Sequence, residues 1–233
     1  MFSFKFCHVY QVVVDFDMVD PGSEAMVEST QPRSNSLEQR PCVRARVLKE
    51  TLAFLDEHRP ELARMVEVDA PSETLCAIRE ALPMDWISAK LTRGLIEVIV
   101  DELGENDGIN LWRDLVTYRL RHSSMIGSLI SLATTVGLAA PWSFAKQVPR
   151  GWNHSYQDYG SPTVNKDGSQ AATFRWSDVP EYLFEHPIHF VAIRGALIGV
   201  IELSGQQANS ELEFIPDKRE VTVCVRWRDP SIS

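Results

Sequence analysis

The densest concentration of side chains able to do chemistry lies in one short stretch: Trp142, Phe144, Trp152, His154, Tyr156, Asp158 and Tyr159. Indole and phenol rings offer broad apolar contact and one polar handle each, a combination suited to small-molecule pockets. Asp158 and Tyr156 could orient such a ligand, or could equally satisfy buried backbone groups. The expected pocket is therefore Trp142, Phe144, Trp152, Tyr156, Asp158 and Tyr159. Core packing accounts for the same rings without a ligand, because this segment joins a helical half to a β half.

Other constellations are thinner. His186 and His189 lie three apart beside Pro187, a spacing at which two imidazoles could share a metal. No cysteine or carboxylate pattern completes a site there, so a solvated helix start is the expectation. Asp56–Glu57 and Asp101–Glu102 sit near predicted helix ends, where solvated charges are ordinary. The sequence contains no phosphate-cradling Walker loop, no dinucleotide glycine fingerprint, no HExxH, no GxSxG and no EF-hand loop. A catalytic triad assembled in space would leave no such trace. Cys7, Cys42, Cys76 and Cys224 are too scattered for a CxxC element, and free thiols suit a reducing cytosol.

With 23 Lys+Arg against 32 Asp+Glu the chain carries a formal charge of −9. That argues against nucleic acid and anionic membranes as partners, although a local basic patch could survive it. Its 233 residues, 44% hydrophobic and 24% charged, suit one globular domain with a tail. Residues 1–42 read as a disordered or mis-annotated arm, because 19–42 are rich in Pro, Ser, Glu, Gln and Asn. Residues 43–233 read as the domain. The uncharged stretch 123–145 raises the question of a membrane span. Its serines, threonines, glycines and Pro141 favour a helix buried in a soluble core.

The elements that must position these residues are legible by period. Apolar residues recur at three- and four-residue steps from Val43 to Leu120, in segments separated by Pro60, Pro83 and Gly104. Ser72 offers an N-cap. A long stripe runs from Trp86 to Leu103, and a shorter helix is expected over 141–152. After Tyr159 the period changes. Residues 162–164 and 172–176 flank an Asn165–Lys166–Asp167–Gly168 turn, as in a hairpin. Residues 187–203 return to helix, with Gly195 and Gly199 permitting a close approach. Leu212 and Phe214, then Val221, Val223, Val225 and Trp227, alternate as strands around a Pro216–Asp217–Lys218 turn. Helices followed by strands predict an α+β fold: an N-terminal helical layer packed on a four-stranded antiparallel sheet of ββαββ order.

This order, with FAKQVPRGWNHSYQDYGSPTV, RGALIGVIELSG and the closing VTVCVRW, resembles an uncharacterised family of paralogous proteins in myxobacteria. That family is similar in turn to the ligand-binding fold of haem nitric-oxide-binding sensors, 4-vinyl reductase domains and the Bet3-like subunits of the TRAPP tethering complex. The haem sensors use a helical histidine and a Tyr-x-Ser-x-Arg clamp for the propionates. Here Tyr159 and Ser161 match two clamp positions, and Thr163 stands where the arginine belongs. His122 is the only upstream histidine placed to be the ligand. In the plainer reading it closes a basic turn with Arg119 and Arg121 at a helix C-terminus.

The resemblance implies a cytoplasmic, non-enzymatic small-molecule-sensing or protein-interaction module of bacterial signalling, with no cofactor. The alternatives are a haem-binding gas sensor using His122, Tyr159 and Ser161, or an enzyme of unnamed reaction. The expected partners are an apolar small molecule or a protein, a second copy of the chain included. Nucleic acid and a membrane span are not expected.

Overall fold

The computed structural model describes residues 41–122 and 140–229; the arm, Cys7 and most of the uncharged stretch lie outside the described residues. The chain is α+β with two antiparallel sheets.

The smaller sheet is absent from the sequence-based expectation. Strand β1 (Cys42–Arg44) pairs with β2 (Trp86–Ser88) on one side and β3 (Tyr156–Gln157) on the other. Helix therefore begins at Ala45, not Val43, and the long stripe becomes helical only at Ala89. Strands of two or three residues are too short to show a period-two alternation, so their apolar members blend into neighbouring helical patterns. Val43 and Ile87 face each other and are both buried. Pro41 and Cys42, which composition puts in the arm, belong to the fold. The carbonyl of Pro41 accepts from Ala89 N–H at 2.7 Å.

Five helices build the N-terminal part: α1 (Ala45–His58), α2 (Pro60–Asp69), α3 (Ser72–Glu80), α4 (Ala89–Leu103) and α5 (Glu105–His122). Pro60 begins α2, where its missing N–H costs nothing. Ser72 is the first helical residue of α3 and Pro71 its cap, whereas Ser88 caps α4 by accepting from Lys90 N–H. The predicted 141–152 helix is two short ones, α6 (Pro141–Ala145) and α7 (Val148–Ser155), with Pro149 in the first turn of the second.

The larger sheet contains β4 (Ser161–Lys166), β5 (Ala171–Ser177), β6 (Gln207–Ile215) and β7 (Glu220–Arg228), in spatial order β4-β5-β7-β6. The first hairpin turn is Asp167–Gln170, so Asn165 and Lys166 extend the strand rather than bend it. Gly168, at φ +71°, sits inside that turn. Ala172, Phe174 and Trp176 of β5 share a buried face with Val221, Val223, Val225 and Trp227 of β7, as alternation predicts. Edge strand β6 is closed along part of its outer side. Glu202 Oε1 accepts from Ala208 N–H at 3.0 Å, and Arg194 donates to the Ser210 carbonyl at 3.1 Å.

Between β5 and β6 run α8 (Glu181–Glu185) and α9 (His189–Glu202). Helix α9 lies against both α5 and the sheet. It is apolar nearly all round, as a helix buried on several sides must be. Gly195 and Gly199 lie on its contact with α5. A methyl on Gly195 would stand 2.7 Å from Trp112 Cβ and closer still to the Ile109 carbonyl; on Gly199 it would stand 2.6 Å from the Arg113 carbonyl. These neighbours are largely backbone and cannot swing away. Gly195→Ala should therefore destabilise by on the order of 3 kcal/mol. Gly151→Ala, on exposed α7 with open space around it, should stabilise by about 0.5–1 kcal/mol. Urea melts of both variants check the contrast, and equal effects would mean the helices are not in backbone contact.

Candidate functional site

Two left-handed residues flank Tyr159: Asp158 at φ 55° and Gly160 at φ +90°. Gly160 has no room for a side chain, because a Cβ there would meet the Ser177 carbonyl at 2.7 Å. This sharp reversal between β3 and β4 carries Tyr159 into the core, where it is buried. Asp158 is left exposed.

Tyr159 joins a cluster of rings drawn from five elements. Trp152 of α7 stacks on Tyr156 at 4.2 Å, and Tyr156 lies 5.1 Å from Tyr159. Trp152 also meets Trp176 of β5 at 5.2 Å. Tyr159 packs edge-on to His189 of α9 at 6.0 Å, and Tyr182 of α8 lies 5.9 Å from the same imidazole. Of the six expected pocket residues, the structure brings Trp152, Tyr156 and Tyr159 together. Trp142 and Phe144 are half-buried on α6 and take no part in the described ring contacts.

The cluster is buried but polar. His189 is 2% exposed, Trp176 0% and Trp152 6%. Tyr159 Oη lies 3.4 Å from His189 Nδ1. Burial holds the Tyr159 phenol well above the usual tyrosine range, so it stays protonated and can donate to Nδ1. Burial likewise pushes the His189 pKa down to about 4, helped by nearby His186 and Arg93. The neutral ring has one donor and one acceptor nitrogen; Nδ1 is engaged with Tyr159, which leaves Nε2. That Nε2 has no hydrogen-bond partner, and neither have Trp152 Nε1 and Trp176 Nε1. Two buried indole N–H donors and one imidazole nitrogen of the cluster are thus without a partner, a costly condition that native structures rarely leave without a ligand or ordered water.

His186 and His189 do not share a site. His186 faces Arg93, whose Nη1 lies 3.0 Å from Nε2 and 3.2 Å from Nδ1 of the ring. His189 turns instead toward Tyr159, so the expectation of a solvated helix start is corrected for His189, which lies inside the core. Among the described residues no group of three or more His, Cys, Asp or Glu could hold a metal. Sequence reasoning missed His189, Trp176 and Tyr182 as members of the cluster. The signal was a polar residue heading the apolar first turn of α9.

The residues of the haem alternative lie apart. His122 is exposed at the end of α5, stacked on Tyr118, with Nδ1 2.8 Å from the Tyr118 carbonyl. Ser161 is exposed on β4, and Tyr159 is engaged with His189. Thr163, in the arginine position of the clamp, directs its hydroxyl to the Arg175 carbonyl at 3.3 Å. Tyr159 is thus buried, while Ser161 and Thr163 are exposed on β4.

No family model matches the chain, and no curated protein matches it. Solved structures show a weak H-NOX-like likeness of fold. An Fe(II) unliganded H-NOX protein from K. algicida is 10% identical over 80% of this chain and 97% of its own, with a TM-score of 0.48. An H-NOX protein from S. oneidensis in the Fe(II)NO ligation state has the same identity and TM-score, over 80% of this chain and 99% of its own. A trafficking protein particle complex subunit 3 from Naegleria fowleri, covalently bound to palmitic acid, is 12% identical over 60% of this chain and 92% of its own, with a TM-score of 0.41.

The depressed His189 pKa has a consequence for stability. Between the unfolded value near 6.5 and the folded value of about 4, only the unfolded chain takes up this proton. The histidine's contribution is therefore whole above pH 6.5 and is lost as pH falls toward 4, by up to about 1.4 kcal/mol per pH unit and about 3 kcal/mol in all. His189→Phe should remove that component. The measurement is the difference in urea-melt stability between pH 7 and pH 5 for both proteins. An unchanged difference would show that the imidazole is not held neutral.

Proposed function

We propose that this chain is a non-enzymatic small-molecule-binding module of a sensing type, with recognition at the aromatic junction. Trp152, Tyr156 and Tyr159 form its floor, and His189, Trp176 and Tyr182 complete it. The observation that carries this reading is the set of unpartnered buried nitrogens, Nε1 of Trp152, Nε1 of Trp176 and Nε2 of His189. Indole nitrogen can only donate, and His189 Nε2 adds a third polar atom, donor or acceptor with the tautomer. A lining of donors within an apolar ring cluster suits a ligand with an apolar body and one oxygen that accepts, a carbonyl or carboxylate.

A cytoplasmic signalling setting belongs to the same proposal. Cys76 and Cys224 are free thiols, as a reducing compartment would keep them. No helix among the described residues is long and apolar enough to cross a membrane.

Native mass spectrometry of freshly purified protein tests the reading. The expected result is a small-molecule adduct that Tyr159→Phe and Trp152→Phe weaken, with loss of the adduct altering tryptophan fluorescence. A bare mass, with fluorescence indifferent to unfolding and refolding in the absence of cell extract, would mean that ordered water satisfies the three nitrogens. The absorption spectrum separates the haem alternative. The protein should be colourless, because Thr163 cannot balance a propionate. A Soret band that disappears in His122→Ala would replace this proposal with the gas-sensor one.

A further inference from the structure

On another face of the molecule, a cavity of about 790 Å³ opens between the C-terminal half of α5, the turn after α9 and the paired ends of β6 and β7. Four of its lining residues are arginines: Arg113, Arg121, Arg226 and Arg228. In a chain of net charge −9 such a concentration is contrary to the general balance.

The carboxylates of the wall are already engaged. Asp114 Oδ1 accepts from Arg113 Nε and Nη2 at 2.9 and 2.8 Å. Glu202 uses Oε1 on the Ala208 N–H, and its Oε2 lies 3.8 Å from Arg113 Nε. Arg113 is thereby fixed and neutralised, while Arg226 pairs across the sheet with Glu211 at 2.7 Å. Arg228 donates a neutral hydrogen bond to Gln207 Oε1 at 3.3 Å. Arg121 is exposed and has no ion pair or hydrogen bond among the described residues. The amides of Gln206, Gln207 and Asn209 add further donors to the wall.

We propose that this groove binds a phosphate-bearing anion, held chiefly by Arg121 from α5 and Arg228 from β7. Guanidinium forks match phosphate oxygens in pairs, which an isolated ammonium cannot do. The two side chains come from different elements, so the anion would bridge the end of α5 to the end of the sheet. The volume falls within the ordinary range for small-ligand sites, and guanidinium and amide side chains outnumber the single indole, Trp227, along the wall. The site is separate from the aromatic junction, and its fate is independent of the function proposed there.

Isothermal titration with inorganic phosphate, pyrophosphate and ADP, at constant ionic strength held with chloride, tests the proposal on the full chain. Saturable binding of pyrophosphate or ADP is expected, weakened at least tenfold in Arg121→Gln/Arg228→Gln. ADP binding tighter than pyrophosphate places the phosphate on a nucleotide; equal affinities place recognition in the phosphates alone. Both support the site. Asp114→Asn, which frees Arg113, should leave binding intact or strengthen it. The circular dichroism melt of each variant verifies folding. The proposal fails if no probe saturates, or if the folded double variant binds as the parent does.

Discussion

Everything on the sheet side of the molecule depends on how closely α9 can approach α5. Gly195 and Gly199 bring the two helices nearly to backbone contact, and no other residue type fits where they stand. The reason lies in what α9 must do. It packs against a helix and a sheet together, so its apolar residues encircle it instead of forming one stripe. A bulky residue toward α5 would lift the helix and open the core beneath Phe190, which meets Trp176 of β5 and Phe214 of β6 edge-on. Arg194 fastens the same helix at its solvent margin, reaching Glu105 at 2.5 Å and the Ser210 hydroxyl at 3.2 Å.

The aromatic junction is a product of that seating. His189 occupies the first turn of α9, so its place opposite Tyr159 follows from where the helix lies. Tyr159 arrives from the other direction, turned inward by the reversal at Asp158 and Gly160. Neither residue has a sequence neighbour that explains it; the two meet because one helix and one turn are both constrained by backbone crowding. A histidine without charge beside a phenol that keeps its proton is the chemical outcome of excluding water from that meeting.

The parts of this fold that were legible in the sequence are those with a sustained period. Val221, Val223, Val225 and Trp227 announce the inner face of β7, and the mostly apolar run of α9 announces a buried helix. Strands β1, β2 and β3 could not be read, because each is shorter than one full alternation and exists only through its partners. The aromatic pocket was half visible. Trp152, Tyr156 and Tyr159 are close in sequence and remain close in space, whereas His189 and Trp176 reach them through the fold. The arginine-lined groove was invisible for the same reason: Arg113 and Arg121 are two helical turns apart, and Arg226 and Arg228 lie more than a hundred residues further on.

The way β6 is closed bears on how copies of this protein can meet. An edge strand is normally an open template for another strand. Here Glu202 occupies the outer N–H of Ala208 and Arg194 the outer carbonyl of Ser210, both from a helix of the same chain. At the opposite edge β4 carries Pro162, which has no N–H to give. The sheet is thereby a finished object of four strands, blunted at both borders by internal chemistry. Extension of this four-stranded sheet into a second copy is disfavoured at these positions.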